Sequence, residues 1–295
     1  MTAPVLADAL GPKAKRRAAA VSVVVAAVFA AVAVVALRRF ADRGQLEWDR
    51  WRYFFKPQVL EFLWGGLYNT LSLAGRAMAV AVAAGFVLAM LRLARNGLLR
   101  WTSATWIEVF RGLPLVLQMF FAYLGLPKLG VDLAPSQAAL VGLALYNSAI
   151  LAEIFRAGIL SLDRGQREAA LGVGLTEGQA MRHVILPQAL RRMIPALVSQ
   201  LVTLLKDTSL ALIVAYDELL RRFQLAAKGV TPSAELQGFI LAAGVYIVIC
   251  FSLSRFARRL EVRQRRRYRA GTIGVAGVEE LTAVAPAGPG GAPTV

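Results

Sequence analysis

Cysteine and histidine are almost missing from this 295-residue sequence, which has one of each, Cys250 and His183. A single cysteine closes no disulfide within the chain and builds no cysteine-based metal site. One histidine, with no His-Glu-x-x-His pattern, excludes a zinc intramembrane protease and most histidine-based triads. A Gly-x-x-x-x-Gly-Lys-Ser/Thr phosphate loop is also absent, so the chain has no such site for a nucleotide of its own. Acidic residues are few, 18 against 34 Lys and Arg, for a formal charge of +16. A nucleic-acid binder would carry such charge as a stripe on a soluble fold, beside base-reading side chains. Here the basic residues fall between and after apolar runs, which argues against nucleic acid and for anionic membrane lipid.

What is plentiful is apolar: 57% of residues are hydrophobic and mean hydropathy is +0.56. The apolar residues form runs approaching or exceeding the roughly 20 residues a helix needs to cross a bilayer. Six such runs, at about 18–37, 66–91, 104–126, 137–160, 194–216 and 237–254, predict an all-α, polytopic membrane protein. The first follows a basic N-terminus, residues 1–17. Val34-Val35-Ala36 loosely fits a signal cleavage site, but the run is longer than a signal core and reads as an uncleaved helix. Between the first two spans, Trp48, Trp51, Tyr53, Phe54 and Phe55 suit the headgroup level. Beyond residue 254 a basic tail runs to 295, and its Ala-, Gly- and Pro-rich part, Ala270–Val295, reads as disordered.

Charge orients the spans. With the N-terminus inside, twenty Lys and Arg fall on cytoplasmic segments and ten on outer ones, so both termini are expected in the cytoplasm of a cell that holds the chain in its inner membrane.

The polar stretch 161–193 between spans four and five has its own pattern. Arg167–Ala170 favours helix, Gly172 and Gly174 interrupt it, and Thr176-Glu177 suits a second helix that Pro187 is expected to end. A connecting loop and a protruding, partner-binding hairpin both fit this pattern. The stretch resembles the EAA loop of binding-protein-dependent ABC importers. Glu168-Ala169-Ala170 is followed after three residues by Gly174, then after nine by Val184-Ile185-Leu186-Pro187, with Val184 where isoleucine is usual.

Further segments resemble the polar amino-acid branch of those permeases: Gly66–Gly75, Glu108–Phe121, Ala152–Ile159 and Leu204–Ala211. Leu113 replaces a small polar residue, and Ser148-Ala149-Ile150 lacks the usual aromatic. The extra first helix is most similar to glutamate-type permeases. The resemblance spans about 66–254 and implies an ABC importer permease fold whose coupling helix, with Glu168, Ala169, Ala170, Gly174, Leu186 and Pro187, docks on ABC ATPase subunits. It also implies a second permease subunit, an extracytoplasmic amino-acid-binding protein, and ATP with Mg held by the ATPase rather than by this chain. The chain is then not an enzyme, and its cargo is glutamate, or glutamine or aspartate. A basic amino acid or an opine is the alternative cargo, and an ATP-independent secondary transporter the alternative class.

Ionisable groups inside spans are costly and point to function by default. Lys206 and Asp207, expected near the middle of the fifth span and followed by Thr208 and Ser209, suit the carboxylate and ammonium of an amino acid, or form a buried structural pair. Arg111 is a further candidate for the pathway, or a partner for Glu108 three residues away; Glu153 and Arg156 have the same spacing. Arg76 lies within the second span without an evident partner.

Overall fold

The structure is a computed structural model that describes residues 11–229 and 234–283. In chain order, α1 (Pro12–Asp42) precedes the short α2 (Trp48–Arg52), then α3 (Pro57–Leu93), α4 (Gly97–Gly112) and α5 (Leu115–Phe120). α6 (Pro135–Leu160) leads into α7 (Arg164–Gly172) and α8 (Glu177–Ala180), and α9 (Leu186–Asp207), α10 (Leu219–Lys228) and α11 (Glu235–Ala283) follow. Five helical stretches are long and apolar enough to cross a membrane, and a sixth results if the bent pair of α4 with 115–129 counts as one span. Helix satisfies every backbone N–H and C=O within its own segment, which a hydrocarbon surrounding demands.

α3 and α6 form the centre. Among the buried positions of α3, Ala74, Ala77, Ala81, Gly85 and Ala89 recur every three or four residues and so share one stripe. That stripe is made of small residues, which lets α6 approach closely: a Cβ on Gly85 would stand 2.9 Å from the Ser148 carbonyl oxygen. Gly142 and Gly158 of α6 admit Met119 and Met193 in the same way. The core divides into a cluster around Leu73, Leu143 and Leu204, a second around Ile107, Phe155 and Met193, and a third around Phe54, Leu219 and Phe223.

The third span is not the continuous helix expected over 104–126. It bends by 100° between α4 and the 115–129 segment, at Leu113-Pro114. Proline has no N–H to donate and disfavours helix in the residue before it. Gln118 reaches back to the exposed carbonyls, donating to Phe110 O at 2.7 Å and Leu113 O at 3.2 Å.

At the end of the bundle away from residues 161–193, Glu218 is fully buried and caps α10. It accepts from Leu220 N at 2.9 Å and Arg221 N at 2.7 Å, and the Tyr246 hydroxyl donates to it at 2.8 Å. Burial pushes its carboxyl above the usual range, against the lowering effect of these donors. Thr70 of α3 accepts from Leu219 N at 3.0 Å, tying α10 to the centre.

α1 stands apart: none of its most apolar 18-residue window is buried, and Phe29 is 73% exposed. A helix that is apolar all round and unburied has lipid as its solvent. At the other terminus, α11 continues through Ala283, so residues 270–283, expected to be disordered, are helical. A helix already nucleated by a span gains one hydrogen bond per added residue, which explains the extension despite its glycines. Residues 1–10 and 284–295 of the expected termini lie outside the described residues.

Gly85→Val should drive α3 from α6 at a cost of about 1–3 kcal/mol. Gly75→Val, on the same helix with nothing within 4 Å of its added Cβ, should change stability by about 0.5 kcal/mol or less. Thermal unfolding of the two purified variants is the check, and equal shifts would contradict the close contact.

Candidate functional site

The hairpin between α6 and α9 is assembled from local rules. Asp163 caps α7 by accepting from Gly165 N at 2.8 Å. α7 ends at Gly172, and Gly174 turns the chain with a left-handed φ of 88°. There Gly174 N donates to Leu171 O and Leu175 N to Ala170 O, at 3.0 and 3.2 Å, the closure a glycine permits after a helix. Thr176 then caps α8 reciprocally with Gln179, as the Thr-Glu signal suggested.

Pro187 does not end the second helix. The chain widens into a π turn over Met181–Ile185 and passes directly into α9, with Pro187 in its first turn. The wide turn relieves the demand for the N–H that proline lacks. Of the expected docking residues, Glu168 and Ala169 are exposed, Ala170 is buried, Leu186 is partly buried and Pro187 exposed. Val173 is 80% exposed at the tip.

Side chains of the α3–α4 connection and of α9 hold the hairpin and the residues that lead into it. Glu177 bridges Arg167 of α7 at 2.7 Å and Arg95 of the α3–α4 connection at 2.9 Å. Arg192 of α9 donates to Ser161 O at 2.9 Å, and Gln188 to Gln166 at 3.2 Å. Above them Glu153 pairs with Arg156 at 2.9 Å, as its spacing suggested, and also with Arg92 of α3 at 3.3 Å. A cavity of about 750 Å³ lies beneath, lined by Leu93, Ile159, Arg167, Glu168 and Glu177 among others. The links from Glu177 to Arg95 and from Glu153 to Arg92 cross long stretches of sequence, and no local pattern signals them.

The five residues considered for a transport pathway are not drawn into one arrangement. Arg111 pairs with Glu108 at 3.0 Å on an exposed face. Lys206 and Asp207 stand at the end of α9 rather than mid-helix, where the chain tightens into a 3₁₀ turn through Val214 before a left-handed Ala215 with φ 60°. Thr208 is buried and donates to Leu205 O at 2.7 Å, and Ser209 donates to Lys206 O at 2.8 Å. Lys206 lines a cleft of about 370 Å³ between α9 and α11. Arg76 donates to Ser72 O at 3.3 Å and lies beside the Tyr216 hydroxyl.

One polar pair within the spans went unforeseen. Buried Asn147 of α6 donates to Leu143 O and accepts from Gln200 of α9, both at 2.8 Å. Such a bond joins helices where no water competes for it. Among the described residues, no group of three or more His, Cys, Asp or Glu could hold a metal ion.

A multi-helix membrane protein presenting a braced hairpin at one end is the class this geometry defines. The chain belongs to the family of inner-membrane components of binding-protein-dependent transport systems, whose profile matches residues 81–266. A Bacillus subtilis protein named "Probable glutamine ABC transporter permease protein GlnP" is 41% identical over 211 residues, 71% of this chain and 97% of that one. The glutamate transport system permease protein GluD of Corynebacterium glutamicum is 36% identical over 250 residues, 81% of this chain and 88% of its own. A solved amino acid ABC transporter, crystallised with histidines, superposes with a TM-score of 0.66 at 30% identity, covering 70% of this chain and 95% of that one.

Glu177→Gln removes the charge from two solvent-exposed ion pairs, each weak because water screens it. Amide hydrogen exchange over residues 164–180 should rise by about two- to tenfold, while exchange in α3 and α6 stays as it was. Unchanged exchange in the hairpin would show that these pairs do not brace it.

Proposed function

We propose that the chain is the membrane-spanning subunit of an importer for polar amino acids, glutamate or its close relatives glutamine and aspartate. ATP hydrolysis takes place on separate ATPase subunits, which carry the nucleotide and Mg, and is coupled to movement of cargo through the spans. The observation that carries this reading is the hairpin of α7 and α8. It projects an exposed Glu168-Ala169 face while the Glu177–Arg95 pair ties it to the α3–α4 connection, and Arg192 ties α9 to the end of α6 beside it. A partner that pushes on such a hairpin displaces span ends rather than a slack loop.

In this reading the hairpin end faces the cytoplasm, both termini lie there, and an extracytoplasmic binding protein delivers cargo at the end capped by α10. A second permease chain, identical or related, completes the pathway. Nucleotide binding favours one of two arrangements of the spans, and the hairpin is the element through which that preference is imposed. The choice of cargo is supported by the glutamine and glutamate transport named for the two relatives. Asp207, half-buried at the end of α9, is the proposed contact for the cargo ammonium group.

The test is ATP-dependent uptake of labelled glutamate by cells with and without the gene, competed by unlabelled amino acids. Loss of uptake on deletion, with competition by glutamate, aspartate or glutamine, is the expected result. Unchanged glutamate uptake with a fall in arginine uptake would replace the cargo and keep the importer. Glu168→Lys should abolish uptake while the protein stays at its normal level in the membrane; normal uptake would remove the hairpin from the coupling.

A further inference from the structure

The cleft between α9 and α11 has a composition that the transport reading does not use. One stripe of α9, Pro195, Ser199, Val202, Thr203 and Lys206, faces one turn of α11, Ser254, Ala257 and Arg258. Two cations and three hydroxyls therefore line about 370 Å³, and no carboxylate is among the lining residues.

Lys206 and Arg258 line this one cleft from opposite walls. α9 starts at the hairpin end and α11 at the opposite end, so the helices run antiparallel. Helical side chains lean toward the N-terminus of their own helix. Lys206 therefore leans toward the hairpin end and Arg258 away from it, each toward the other. Like charges brought together at the edge of a low-dielectric layer are unfavourable unless an anion lies between them.

We propose that this cleft binds the phosphate group of an anionic phospholipid from the leaflet at the hairpin end. Arg258 is the penultimate residue of the apolar stretch Glu235–Arg259, which sets the cleft at the depth of lipid phosphates. Arg255, one turn before Arg258, adds positive potential that concentrates anionic lipid there. Lys206 snorkels from deeper in the span, and Ser199, Thr203 and Ser254 supply hydroxyl donors to phosphate oxygens.

An amino acid fits the cleft less well. Its carboxylate would meet Lys206 and Arg258, but its ammonium group would meet no carboxylate among the residues that line the cleft. An anionic phospholipid without an amine has no such group to place. The proposal goes beyond the transport reading and moves Lys206 from cargo to lipid.

The experiment uses the full-length chain, purified with its partner subunits, in detergent containing equal phosphatidylglycerol and phosphatidylcholine. Native mass spectrometry counts the lipid retained. Wild type should retain phosphatidylglycerol in preference, and Lys206→Gln and Arg258→Gln should each lower that retention by about fivefold. Arg259→Gln is the control, because Arg259 is exposed on the neighbouring position and does not line the cleft. Its retention should stay at the wild-type level, and melting temperatures establish that all three variants are folded.

Equal losses in the Arg258 and Arg259 variants would overturn the proposal in favour of diffuse surface attraction. So would the absence of a phosphatidylglycerol preference in wild type. Displacement of the lipid by free glutamate would also overturn it and return Lys206 to the cargo pathway, whereas loss of cargo uptake alone bears only on the transport reading.

Discussion

Where α3 passes α6, Gly85 lies against the Ser148 carbonyl with no room for a side chain between them, and the other elements take their places around that contact. In lipid, helices gain nothing from hiding apolar surface from water, so association rests on van der Waals contact and the few hydrogen bonds available. Small residues shorten the distance between axes and increase the number of atoms in contact. Met119 and Met193 fill the notches at Gly142 and Gly158, which places α5 and α9 against α6. The hairpin leaves directly from the end of α6 and is braced to the end of α3, so its position follows from the same pair.

Polar groups sort by what surrounds them. At the hairpin end, carboxylates and guanidinium groups pair at 2.7–3.3 Å with partial or full access to water, where each bond is weak and several are needed. Deeper in the bundle a neutral pair, Asn147 with Gln200, links α6 to α9. At the opposite end, Glu218 is buried but receives three donors, the number that makes a buried carboxylate tolerable. Weak surface bonds cost little to break and re-form, whereas satisfied buried ones cost much more to open.

The helical class, the approximate spans and the turn at Gly174 were legible because each rests on local signals: apolar run length, charge between runs, and cap and glycine chemistry. The Glu108–Arg111 and Glu153–Arg156 pairs were legible for the same reason, since helical spacing sets them. The break at Pro114 was present as a proline inside an apolar run, but hydropathy averages over a single residue and reads through it. The reverse happened at Pro187, where proline suggested a stop and a π turn carried the helix past it. Arg95, Arg92 and Gln200 could not be found as partners, because their contacts exist only once distant segments meet. The proposed pathway residues were grouped by adjacency in sequence, and neighbours on a helix point in different directions: Lys206 faces α11 while Thr208 turns to its own backbone.

α1 shares little with the rest of the bundle, and the family profile matches residues 81–266 without it. Its consequence lies in biogenesis. In the orientation proposed above, with the hairpin end in the cytoplasm, α3 begins on the outer side, so a bundle starting at α3 must have its leading end carried across the membrane. α1, with Lys13, Lys15, Arg16 and Arg17 retained on the near side, lets the translocon take α1 and α3 as an ordinary helical hairpin. Insertion topology is thereby assigned to a helix whose sequence can drift without disturbing the packed centre.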